Sequence, residues 1–177
     1  MVTMPVTIPI NFLPNGAVYH WMQKINDKAL FYALRKLIRD KRIENFIFMN
    51  AYDPFFGQNF PKDIKPLAKV YYCMDDIEEA SYTGKHGAVL EKLIMRKYDI
   101  TLTTSQELLR INTGNADYIH CLPNAVDPEL FNKAFFVRLE TPKEFSGISK
   151  KVIGFIGNIE QRMDYDLVKK IAEAHSD

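Results

Sequence analysis

Residues 70–84 read VYYCMDDIEEASYTG, an apolar, strand-like run that meets four acids at its exit: Asp75, Asp76, Glu78 and Glu79. Carboxylates so placed can accept a proton from a hydroxyl, or face a cation or a polar substrate. Clustered acids repel one another and are costly to bury, so they belong at a wet cleft or on a solvated loop. Both readings stand on the sequence alone. His86 lies a few residues on and offers a further proton acceptor, with a plain loop histidine as the alternative. Cys73 and Cys121 sit in apolar runs without metal-ligand spacing. They read as buried, reduced thiols of a cytosolic protein.

These residues depend on the elements that carry them. The first fifteen residues are extended and punctuated by proline, and Asn15-Gly16 marks a turn. A long helix is expected from Val18 to Arg42, with Leu30, Ala33, Leu34 and Leu37 as its apolar stripe. Lys28, Arg35 and Arg39 fall away from that stripe. RKLIRDKR makes the helix end basic, which suits the negative pole of the helix dipole. Docking on an anionic membrane surface is the sharper alternative. NFIFMNAY (45–52) reads as a buried strand. The loop DPFFGQNFPKDIKP follows, with Phe55 and Phe56 packed beneath it. AKVYYCM is the next strand, and GAVLEKLIMRKY (87–98) an amphipathic helix with Val89, Leu90, Leu93 and Ile94 inward. DITLTTS is a third strand, and Thr104 with Glu107 predicts a capping box for the helix SQELLRIN. DYIHCL is a fourth strand and KKVIGFIG a fifth, followed by the helix DYDLVKKIAEAH.

Strand alternating with helix implies an α/β fold with a parallel sheet covered on both faces. Ligands of such sheets bind outside the carboxyl ends of the strands, where Asp75 and Asp76 lie. The chain has 177 residues, 47% hydrophobic and 25% charged, an ordinary globular composition. A net charge of +1 gives no global attraction to nucleic acid or to an anionic membrane. No apolar run has the length of a membrane span. The start, MVTMPVTIPINFLPNG, has no basic leader and carries prolines, which argues against a signal peptide.

The segments YYCMDD, EKLIMRKYDITLTTSQELL, LPNAVDPELF and KVIGFIGNIEQRMDYDLVKKIA together resemble bacterial glycosyltransferases of the two-Rossmann-domain (GT-B) architecture, of the group-1 type that builds cell-surface polysaccharides. The resemblance covers residues 68–177 well and 1–67 only loosely. Pro123, Asn124, Val126, Asp127 and Phe131 match its most specific motif. Ala125 replaces the family's glycine there, which argues against a left-handed backbone at that position.

The resemblance implies a Rossmann-like parallel sheet flanked by helices, the N-terminal half of a GT-B fold plus the first β-α unit of the second domain. Residues 1–132 would be an incomplete acceptor-side domain, 133–150 the linker, and 151–177 the start of the donor-binding domain. The family's donor-binding glutamates would lie further along than Asp177, making this an incomplete enzyme. Gly147 and Ser149 are possible hinge points, and Phe135 and Phe136 are expected to pack on the domain.

The implied substrates are a nucleotide sugar and a glycan or lipid-linked acceptor, with no cofactor, no metal site and no nucleic-acid partner. The implied location is cytoplasmic, with peripheral attachment at the inner face of the membrane as an extension. Asp75, Asp76 or His86 would accept the acceptor's proton in an inverting enzyme. Gly154, Gly157, Asn158 and Arg162 would meet the donor diphosphate through backbone N–H groups and charge, a plain tight turn being the alternative. Asn124 and Asp127 would face the cleft. Two other functions compete: a non-catalytic α/β glycan- or partner-binding module, and a nucleotide-sugar epimerase, which would act on its nucleotide sugar without an acceptor.

Overall fold

Four short apolar runs form strands because their β-branched and aromatic residues fit a pleated, half-buried surface. They are β1 (Ile47–Ala51), β2 (Ala68–Cys73), β3 (Ile100–Thr103) and β4 (Ile119–Cys121). The computed structural model describes residues 5–78, 83–148, 152–159 and 163–175. All four strands are parallel and lie in the order β1-β2-β3-β4. The helices of this part are α1 (Ala17–Lys41), α2 (Gly84–Lys97) and α3 (Gln106–Asn112). This is an α/β, Rossmann-like arrangement. Two compact units divide the chain between Val126 and Asp127.

A parallel sheet whose strands follow chain order advances in one direction, so crossovers of one hand all fall on the same face. The contacts agree. Phe31 of α1 meets Phe48 of β1, Glu91 of α2 meets Tyr71 of β2, and Leu108 of α3 joins the core of Tyr71, Cys73, Ile94, Met95 and Tyr98. Coverage on both faces was the expectation, and one face is what these three helices cover. On the opposite face Ile47 and Met49 remain 60% and 52% exposed.

Two inward faces differ from expectation. On α2, Leu90, Glu91, Ile94 and Met95 are buried, whereas Val89 and Leu93 are exposed. The face is turned by one residue because a glutamate occupies it. On α1, the predicted stripe is only half-buried; the fully buried side chains are Tyr19, Gln23, Asn26, Asp27 and Phe31. Phe31 packs on Phe48 and Phe60, whereas Asn26 and Asp27 have polar partners. Asp27 accepts from Gly57 N at 2.8 Å, Asn59 N at 2.9 Å and Asn59 Nδ2 at 2.7 Å, so one carboxylate fixes the loop after β1. Asn26 holds both backbone groups of Ile8, donating and accepting at 2.9 Å. That pair ties the extended segment 5–13 against α1.

The cap of α3 also shifts by one. Ser105 accepts from Leu108 N at 3.1 Å, whereas Thr104 donates to Met74 O at 2.8 Å. Glu107 pairs with Arg110 instead of closing a capping box.

The second unit carries α4 (Pro128–Phe136), a 3-10 turn (Lys143–Phe145) and α5 (Tyr165–Ala174). Helix α4 runs across the expected boundary at 132/133. Phe135 and Phe136 are 85% and 83% exposed. Residues 152–157 form no strand, although KKVIGFIG predicts one. A strand needs a neighbour to satisfy its backbone, and among the described residues of this unit none is present.

Candidate functional site

The carboxyl ends of β1 and β2 bring together two loops. Tyr52 continues the ladder beyond β1, donating its N–H to Tyr72 O at 2.9 Å. Its φ of 58° is left-handed, a conformation that costs a non-glycine residue about 1–2 kcal/mol. Asn50 holds the turn that follows: its Nδ2 donates to Asp53 O at 2.8 Å and Phe56 O at 3.0 Å, and its Oδ1 accepts from Asp53 N at 3.0 Å. Gly57 closes it at φ 82°, where a Cβ would stand 2.5 Å from the Tyr98 hydroxyl.

This turn forms one wall of a cavity of about 330 Å³. Tyr52, Asp53, Phe55 and Phe56 line it on that side. The segment Thr7–Asn11 and the Asn26 that holds it line it on another, and Ile77 and Thr83 complete it. Burial holds the Asp53 carboxyl above the usual carboxylate range; the N–H groups of Phe55 and Phe56 oppose this and Asp27 adds to it.

The acidic loop after β2 stands beside Tyr52. Burial, then Asp75, Glu91, Cys73 and Asp76 in turn, push the Tyr52 phenol up to about 12. Asp75 Oδ1 accepts from Asp76 N, and Asp76 Oδ1 from Glu78 N, both at 2.9 Å. These are turn hydrogen bonds that fold the chain back from the strand tip. Glu78 pairs with Lys92 at 3.0 Å. Beneath the loop, Glu91 is 6% exposed and accepts from the Tyr71 hydroxyl at 2.8 Å. Burial raises the Glu91 carboxyl, its bonds from Tyr71 and Cys73 oppose the rise, and Asp76 and Glu78 reinforce it.

His86 lies elsewhere. It is buried, its Nε2 is 2.8 Å from Leu13 O, and its ring stacks on Tyr19 at 4.5 Å. It does not line the cavity. Asn124 is at the same end of the sheet, where its Oδ1 accepts from the Tyr72 hydroxyl at 3.4 Å. Ala125 does not have a left-handed backbone. Asp127 begins the second unit as the N-cap of α4, accepting from Glu129 N at 3.0 Å and Leu130 N at 3.4 Å. Gly154, Gly157 and Asn158 lie on an exposed stretch without regular structure. The N-terminus of α5 is capped by Asp164, which accepts from Leu167 N at 2.9 Å. Arg162, Glu79 and Ser149 lie outside the described residues.

Asp75 and Asp76 stand near Tyr52 but, like His86, outside the cavity lining; sequence reasoning missed Tyr52, Asp53 and Glu91. A signal for Asp53 was present, since its loop also leaves the carboxyl end of a parallel strand. Glu91 shows itself only when the apolar spacing Leu90–Ile94 is read with an acid inside it. Among the described residues, no three His, Cys, Asp or Glu side chains are arranged to hold a metal ion, and no described helix is long and apolar enough to cross a membrane. No protein-family model matches the chain, and no curated protein or solved structure does.

Proposed function

We propose that this chain is the acceptor-side part of a glycosyltransferase, moving a sugar from a nucleotide-sugar donor to a glycan or lipid-linked acceptor. The observation that carries this reading is the cavity at the carboxyl end of β1, set beside the carboxylates that follow β2. Open parallel sheets bind their ligands at that end. The motif Pro123–Phe131, which resembles that of GT-B enzymes of the group-1 type apart from Ala125, supports the same reading. Asp75 and Asp76 lie outside the cavity lining, beside Tyr52, and one of them would take the proton of an acceptor hydroxyl that extends past Tyr52; each uses Oδ1 in a turn and keeps a second oxygen. His86 is less suited, being tied to Leu13 and Tyr19. The donor would be met through Gly154, Gly157, Asn158 and Arg162. The basic end of α1, with Arg39 and Lys41 exposed, suits attachment at an anionic inner membrane face.

The test is release of nucleoside diphosphate from a panel of nucleotide sugars and glycans. The chain is used alone and joined to the donor-binding domain of a group-1 enzyme. Acceptor-dependent release that falls about 100-fold in Asp76→Asn, or in Asp75→Asn, supports the reading. Absence of release in both forms counts against it. A second reading, a glycan-binding module without catalysis, is favoured by the turn hydrogen bonds of Asp75 and Asp76. It predicts glycan binding that neither substitution weakens.

A further inference from the structure

The cavity beside β1 combines aromatic walls with negative charge. Tyr52, Phe55 and Phe56 supply three rings and Asp53 a carboxyl group, and the described lining includes no lysine, arginine or histidine. Beyond the lining, Asp27 acts on Asp53 from α1, and Asp75, Asp76 and Glu91 act on Tyr52 from the β2 side. The nearby cations are engaged elsewhere. Lys97 donates to Gln58 O at 3.0 Å and to its Oε1 at 3.1 Å, Lys85 to Phe12 O at 3.2 Å, and Lys92 to Glu78 at 3.0 Å.

Such a lining offers phosphate and carboxylate ligands no cationic partner among the described residues. An ammonium group is attracted twice, by the carboxylate and by the faces of aromatic rings. Thr7, Asn11 and Thr83 add uncharged hydrogen-bonding side chains around the same space. At about 330 Å³ the cavity is at the small end of ligand sites, which span roughly 300–1,000 Å³, a size for one sugar ring rather than a long chain.

We infer that this cavity binds the ring of an amino sugar through its protonated amine, with Asp53 as the counter-ion and Tyr52, Phe55 and Phe56 as the walls. The inference rests on the glycosyltransferase reading only for the choice of a sugar as the carrier of the amine. It makes the acceptor a cationic sugar and excludes phosphorylated and uronic-acid acceptors. Binding also couples to protonation. Burial favours the neutral Asp53 carboxyl and an ammonium ligand favours the ionised one, so a bound amine opposes the upward shift.

The experiment is titration of the full chain, followed by calorimetry and NMR, with three probes: methyl glucosaminide, its N-acetyl derivative and methyl glucuronide. The expected result is that the free amine binds at least about tenfold more tightly than the N-acetyl form and that the uronide does not bind. Asp53→Asn should remove that preference. Because Asp53 also accepts from Phe55 N at 3.1 Å, folding of the variant is checked by circular dichroism. Phe55→Leu is the second variant, expected to weaken amine binding about threefold or more. Equal binding of the amine and N-acetyl probes, tighter binding of the uronide, no binding of any probe, or a folded Asp53→Asn that keeps the preference would overturn the inference. These titrations need no donor. Amine binding without sugar transfer thus defeats the catalytic reading alone, and transfer without amine preference defeats this inference alone.

Discussion

Tyr71 donates its hydroxyl to Glu91 Oε1 between β2 and α2, with the Cys73 thiol beside them, so a carboxyl group sits in the layer that should be apolar. The consequence is a pH dependence of definite sign. Below the ordinary glutamate range, folded and unfolded chains both carry the proton, and the contribution of Glu91 is fully present. Above it the unfolded chain gives up the proton first, because burial raises the folded value. Stability therefore falls as pH rises, until the folded carboxyl also ionises. Asp53, raised for the same first reason, acts in the same direction. Glu91→Gln keeps an acceptor for Tyr71 and removes one titration. Denaturant unfolding across this pH range should show a slope of up to about 1.4 kcal/mol per pH unit from this group in the parent, absent from the variant. Parallel pH profiles would show that Glu91 is not the source.

Gly87, in the first turn of α2, leaves room for Ile77, the buried residue of the acidic loop. A Cβ there would come within 2.7 Å of Ile77 Cδ1 and 2.8 Å of Cγ1. Gly87→Ala should therefore cost about 1–3 kcal/mol and displace the Asp75–Glu78 turn, despite the better helix propensity of alanine. Thermal unfolding and the amide signals of residues 75–78 would report both effects. The same elements show what a sequence reader can and cannot see. The four strands were legible because apolar runs bounded by turns carry their own signal. The helical faces were less so: α1 buries Asn26 and Asp27 because loop backbone needs partners, and α2 buries Glu91 because Tyr71 needs an acceptor. Neither need appears in a hydrophobic period. The start of α4 is legible in the sequence, since Asp127-Pro128 is a capping residue followed by proline at the first helical position. The fifth strand failed for the opposite reason, a strong local run without a neighbour to pair with. Of the candidate site, the carboxylates after β2 could be found by rule. The cavity could not, because Thr7–Asn11 reaches it only through the grip of Asn26.

On the scale of the whole molecule, the uncovered side of the sheet matters most for behaviour in solution. Ile47, Met49, Val70, Tyr72, Ile100 and Leu102 share that face by strand register; Ile47 and Met49 are exposed, Tyr72, Ile100 and Leu102 half-buried and Val70 buried, so the exposed part lies along β1. An apolar surface of this kind should bind a hydrophobic dye in the folded state. Met49→Lys should reduce the dye signal markedly and change stability by no more than about 0.5 kcal/mol, as an exposed substitution does. An unchanged signal would locate the dye elsewhere.

The strand order has one more effect. Every described crossover winds the same way, and β1 is the margin of the sheet. Doubly wound folds open their binding crevice where the winding reverses, with one connection passing to each side. If an additional parallel strand were laid along β1 by a connection on the bare side, the reversal would fall at this margin. The rim carrying Tyr52 and Asp53 would then become the mouth of a crevice between two layers, deepened without any change in the residues that already line it.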